Sequence, residues 1–163
     1  MVGIKEETRN RGFTCINCKK WVQVSEYNKT VDRNHCPYCL WSKHVDNKTA
    51  GDRLSSCSSG MKPIGLTIKT PRVDKWGVEV KGELMVIHEC NSCGKISINR
   101  ILDRDDENIL KELFEKSVNM SGVEKDKLKM MGIKVLGEED REEFLKQLFG
   151  KPTEQKIQEK ILI

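Results

Sequence analysis

The spacing of apolar residues changes once along this chain, near residue 104. Before that point apolar and polar residues alternate in short runs: Trp21–Val24, Ile64–Lys69 with Ile64, Leu66 and Ile68 in phase, Trp76–Val80, Leu84–His88, and Lys95–Ile101 with Ile96 and Ile98 in phase. A period of two predicts strands. After Arg104 the period lengthens, and Ile109, Leu110, Leu113, Phe114 and Val118 mark one face of a helix entered through Asp105-Asp106-Glu107, whose negative charge suits a helix N-terminus. A second helix is predicted over Glu138–Phe149, with Phe144, Leu145, Leu148 and Phe149 on one face and Gly150 then Pro152 closing it. A short third helix is predicted from Thr153 toward Ile161. Trp41 to Gly60 reads as a loop rich in Ser, Asp, Asn and Gly, long enough to call for a function or a metal to pin it.

The apolar inventory for one core of 163 residues is thin, with 6% aromatic against 33% charged residues, so something besides hydrophobic burial must hold the fold. The seven cysteines are the candidates: Cys15, Cys18, Cys36, Cys39, Cys57, Cys90 and Cys93 all precede the last 70 residues. An odd number, three CxxC pairs and the absence of an apolar leader argue against a disulfide framework and for zinc. The expected architecture is α+β overall. A small zinc-stabilised β-rich module of knuckle hairpins and long loops would span 11–108, and an α-helical appendage 109–163.

Cys15-x2-Cys18-x17-Cys36-x2-Cys39 fits the spacing of a four-thiolate zinc site, each CxxC turn giving two ligands to one tetrahedral ion. Cys57, Cys90 and Cys93 are one ligand short of a second. His88, two residues before Cys90 on one strand face, is placed ahead of His44 as the fourth; His35, beside Cys36, suits a supporting hydrogen bond instead. Two zinc ions per chain follow. Sequential pairing of the first two CxxC motifs is preferred because its loop is shorter to close, although Cys36/Cys39 with Cys90/Cys93 is an open alternative. At the third pair, Cys90-Asn-Ser-Cys93-Gly94 between two strands supplies the glycine that a sharp knuckle turn needs.

Arg33-Asn34-His35-Cys36-Pro37 is followed by Gly51-Asp52-Arg53, the lone Cys57, Met61-Lys62-Pro63, His88-x-Cys90-x2-Cys93-Gly94, Asn99-Arg100 and Asp105-Asp106. On these motifs the chain resembles the RNHCP domain family over roughly residues 11 to 108. The resemblance implies that Arg33, His35, His44, Asp46, Asp52 and Arg53 gather near metal. It names no substrate.

Charge divides the chain where periodicity does. Residues 1–104 hold 18 Lys+Arg against 11 Asp+Glu, and residues 105–163 hold 11 against 14. The basic half suits a polyanion, and the first reading is a non-catalytic module that binds RNA, ribosomal or otherwise. Lys19, Lys20, Arg33, Lys43, Arg53 and Arg100 would meet phosphates while Trp41 stacks on a base. A second reading is a metal-dependent nuclease using His44 and Asp46. It is weakened because no histidine follows Cys93, where Asn99-Arg100 stand; a deaminase reading fails because this chain has CPxC rather than PCxxC. A third is a protein-interaction adaptor whose C-terminal helices present Phe114, Phe144, Leu148 and Phe149. No apolar run approaches the roughly 18 residues that cross a bilayer, so no membrane span is expected and the expected location is cytoplasmic.

Overall fold

A computed structural model describes residues 12–24, 35–45, 55–69, 71–80, 82–102 and 104–149. Strands β1 (Gly12–Thr14) and β2 (Trp21–Gln23) form a small antiparallel hairpin. The main sheet is antiparallel, in the order β3 (Ser42–Lys43), β4 (Gly60–Ile68), β7 (Leu84–Cys90), β8 (Ile96–Arg100). Between β4 and β7 the chain makes a separate hairpin, β5 (Arg72–Val73) with β6 (Glu79–Val80). Three helices follow, α1 (Glu107–Val118), α2 (Gly122–Met130) and α3 (Arg141–Phe149), the last entered through a 3-10 turn at Glu138–Asp140.

Leu84 through His88 are all buried, so β7 is covered on both faces rather than on one. Successive side chains feed two clusters. Leu84 and Val86 join Leu40, Leu66, Leu110, Leu113, Phe114, Leu136 and Phe144, whereas Ile87 joins Leu128 and Val135. The helix spacing read from Leu110, Leu113 and Phe114 is the buried face of α1, and the Asp106 carboxylate caps it by accepting from the amides of Asn108 and Ile109. Phe114 and Phe144, the expected anchors for a protein partner, stack on each other with ring centroids 4.6 Å apart inside the core. The helices therefore share their core with the sheet. Ser117 fixes the join, its hydroxyl accepting from the Leu66 amide at 2.7 Å, and Gly65 leaves room for it, since a Cβ would crowd the Ser117 Oγ at 3.1 Å.

Three expectations change. The run Trp76–Val80 is not one strand but a tight turn leading into the two-residue β6: Asp74 accepts from the amides of Trp76 and Val78, and Gly77 reverses the chain at φ 76°. β4 begins at Gly60 and runs through Pro63 on a register shift between Pro63 and Gly65, which accommodates a residue with no amide to donate. Helix α2 is an addition, capped by the Ser121 hydroxyl. The expected helix from Thr153, and the Gly150 and Pro152 expected to close the helix before it, lie outside the described residues. Among the described residues no helix is long and apolar enough to cross a membrane.

Candidate metal centres

Each CxxC pair sits in the same backbone knuckle. The amide of the first cysteine donates to the carbonyl five residues on: Cys15 to Lys20, Cys36 to Trp41 and Cys90 to Lys95, each at 2.9 Å. The residue after the second cysteine donates back to the first cysteine's carbonyl, from Lys19, Leu40 and Gly94 at 3.1, 2.8 and 3.0 Å. Those three residues have φ of 63°, 64° and 74°. Only the last is glycine, so the first two knuckles hold Lys19 and Leu40 in a left-handed conformation that costs about 1 kcal/mol or more for a residue with a Cβ.

The knuckles assemble two ligand groups, and in each the candidate ligand atoms all lie within 4.8 Å of one another. The first is Cys15, Cys18, Cys36 and Cys39, the sequential pairing. Cys15 Sγ is 3.5 Å from Cys39 Sγ and Cys18 Sγ is 3.6 Å from Cys36 Sγ. Thiolates about 2.3 Å from a shared tetrahedral ion lie about 3.8 Å apart, whereas a disulfide spans about 2.05 Å. The spacing therefore fits a metal and not a covalent bridge, and the cysteines are free thiols.

The second group is His44, Cys57, Cys90 and Cys93. Cys57 Sγ lies 3.6 Å from Cys90 Sγ, and His44 Nδ1 lies 3.3 Å from Cys93 Sγ. Backbone pairing past β3 brings these together: His44 donates to the Ser59 carbonyl at 2.8 Å and Ser58 donates to the His44 carbonyl at 3.0 Å. His44 thus lies beside Cys57 and over the third knuckle, and its imidazole is 7% exposed as a residue. His44 Nε2 has no hydrogen-bond partner among the described residues.

His88 is not in this group, contrary to the preference for it. It is fully buried, with Nε2 2.6 Å from the Leu40 carbonyl and Nδ1 2.8 Å from the Asn99 amide nitrogen. Both ring nitrogens are spent on the interior, and the histidine braces the second knuckle from behind. Burial pushes its pKa down to about 4, against the opposing pull of the Leu40 carbonyl. His35 turns from the thiols toward the other end of the chain, its Nε2 2.7 Å from Asp105 Oδ2.

The thiols differ in proton affinity. Burial pushes Cys15 up, but the amides of Cys18 and Asn17 outweigh it and the net shift is downward. Burial dominates at Cys36 and Cys39, which are raised. Cys57 is held down to about 6, chiefly by the Ser59 amide. At Cys93 the Lys95 amide favours the thiolate, but burial and the neighbouring thiols of Cys90 and Cys57 win and the shift is upward. A cation would relieve the crowding that raises the upward-shifted thiols, which is the electrostatic complement of the spacing.

The residues expected to meet nucleic acid do not form one cluster. Lys19 folds its ammonium back onto the Ile16 carbonyl at 2.7 Å. The Lys20 ammonium lies 4.9 Å from the centre of the Tyr38 ring. Trp41 is half-buried against the first metal group and over Gly60, which suits packing more than stacking. Lys43 is exposed on β3. Arg100 pairs with Met85 in the β-ladder while Cys90 pairs with Met61, so along β7 it sits about 17 Å from the cysteine end. It is held there by Glu83 at 3.3 Å. Arg33, Asp46, Asp52 and Arg53 lie outside the described residues. Of the aromatics that lie among the basic residues of the first knuckles in the sequence, Trp21 and Tyr38 are half-exposed, at 50% and 49%, and the place of Tyr38 between two candidate ligand cysteines turns its side chain outward.

A family model described as RNHCP domain matches residues 10–111. No curated protein and no solved structure matches the chain.

Proposed function

The chain belongs to the RNHCP domain family, and from that membership and the two ligand groups we propose a zinc-held module, two ions per chain, whose knuckle surface binds single-stranded RNA without cleaving it. A set of four thiolates and a set of three thiolates with one histidine both suit zinc, and full tetrahedral sets leave no open position for a reacting water. The observation that carries RNA is the pairing of Lys20 with the half-exposed Tyr38 ring. It offers an aromatic face for a base and a cation for its phosphate in one place. The unpaired loops and bulges of ribosomal RNA fall within this class.

The histidines speak against the nuclease reading. His35 and His88 are fully buried, His44 is 7% exposed, and His44 Nδ1 faces the thiols. None of the three is placed to activate water on a bound phosphate.

The test is fluorescence anisotropy of a labelled single-stranded RNA with the full-length, zinc-loaded chain across a salt series. Contact with about four phosphates gives a log K against log salt slope of roughly −3. Lys20→Gln lowers the steepness by about 0.7, and Tyr38→Ala lowers affinity with the slope intact, since stacking releases no counterions. Absence of binding, or divalent-dependent cleavage of the RNA, would overturn the proposal.

A further inference from the structure

Among its described side chains the β5–β6 hairpin buries no apolar residue. Val73, Trp76 and Val78 are 64%, 77% and 59% exposed, and Lys75, Gly77 and Glu79 are exposed as well. A two-stranded ribbon in water is marginal, yet the turn here is firmly built. Asp74 accepts from two amides through its carboxylate, its own amide donates to the Val78 carbonyl at 2.9 Å, and the Gly77 amide donates to the Asp74 carbonyl at 3.0 Å. A preorganised tip that displays an indole and two valines to solvent is the kind of exposed apolar surface that marks a contact.

The chemistry of the tip repeats that of the first knuckles. The Lys75 ammonium lies 5.1 Å from the centre of the Trp76 ring, as Lys20 lies 4.9 Å from Tyr38. An apolar protein pocket that took Trp76 would have to strip water from this ammonium, and a second copy of the tip would bring two such ammonium groups together. An unpaired base with its phosphate meets both the ring and the cation favourably. The hairpin joins the sheet between Ile68 and Leu84, at the end where the exposed Arg100 pairs with Glu83. That end is opposite the cysteines.

We infer that the tip of the β5–β6 hairpin is a second RNA contact, in which an unpaired base stacks on Trp76 and its phosphate meets Lys75. It rests on the reading of the chain as an RNA-binding module and adds a site at the far end of the sheet.

The experiment compares full-length, zinc-loaded wild type with Trp76→Ala, Trp76→Tyr and Lys75→Gln, using the same labelled single-stranded RNA. Circular dichroism melting serves as the control for folding, which an exposed tip residue leaves unchanged. Trp76→Ala weakens binding by roughly five- to a hundredfold at unchanged salt slope. Trp76→Tyr restores most of the loss, and Lys75→Gln flattens the slope by about 0.7. RNA binding that needs Tyr38 but is indifferent to Trp76→Ala would overturn the hairpin contact and leave the knuckle surface standing. No RNA binding by the wild type would remove both. Trp76-dependent binding to phosphatidylserine vesicles, or Trp76-dependent self-association, with RNA affinity unmoved, would assign the tip to a membrane surface or a second copy and overturn the inference.

Discussion

His35 Nε2 lies 2.7 Å from Asp105 Oδ2 across a separation of 70 residues, and the two side chains are 0% and 1% exposed. The same carboxylate oxygen accepts from the Leu102 amide at 2.9 Å, and next to it the Asp106 amide donates to the Pro37 carbonyl at 2.9 Å. The second knuckle is thereby tied to the segment that enters α1, which joins the metal end of the molecule to its helical end. A histidine beside a candidate ligand cysteine here organises the chain, and the thiols are left to face one another.

Asp105→Ala strands both the imidazole and the Leu102 amide in the interior. The expected loss is about 3 kcal/mol in urea unfolding, against about 1 kcal/mol for Asp106→Ala, which removes only an exposed cap. Zinc content of folded Asp105→Ala protein stays at the wild-type value. Equal losses for the two variants would show that the buried pair contributes nothing beyond a surface contact.

Elemental analysis separates the two histidines offered as the second group's fourth ligand. His44→Ala and Cys93→Ser are expected to lower zinc from two ions per chain to one, while His88→Ala keeps two and loses stability. Cys36→Ser empties the first group and removes folding free energy on the order of 10 kcal/mol. Retention of both ions by His44→Ala would exclude it as a ligand.

The CxxC spacing and the alternation around Leu66 and Ile98 made the first ligand group and most of the main sheet legible in the sequence. His44 was harder, because its place among Cys57, Cys90 and Cys93 is set by how residues 44–45 pair with 55–59, a contact with no local pattern. His88, in phase with Cys90 on paper, was drawn inward by the Leu40 carbonyl. Helix α2 escaped because it carries one buried residue, Leu128, and exposes Val123 at 82%; a helix with so little apolar face has no period to read. Trp76–Val80 alternates like a strand but closes on Asp74, a turn signal outvoted by the valines.

His88 is expected to stay neutral down to about pH 4, with the proton on Nε2 facing the Leu40 carbonyl and Nδ1 accepting from Asn99. Its folded pKa lies below the unfolded value of about 6.5, so the unfolded chain binds the extra proton first. Stability from this group is present in full above about pH 6.5 and is lost as pH falls toward about 4. Nitrogen chemical shifts of the ring across pH 5 to 8 check it. Half-protonation near pH 6 would refute the buried neutral state.

The shared core bears on where the chain can be cut. Ending it at Asn108 removes Leu110, Leu113, Phe114, Leu136 and Phe144 from contact with Leu40, Leu66, Leu84 and Val86, and frees the Leu66 amide from Ser117. Such a chain is expected to bind a hydrophobic dye and aggregate even when supplied with zinc. The expectation of a separable appendage after residue 108 requires the opposite, a soluble module that holds two ions. The point variant Phe114→Ala asks the same question without truncation: Phe114 is 1% exposed and stacks on Phe144, so its loss costs about 3 to 5 kcal/mol. If the helices formed their own unit, chelation of zinc would melt the sheet and leave the helical transition in place. With one core, a single cooperative transition carries both, and chelation and Phe114→Ala each lower its midpoint as followed by circular dichroism.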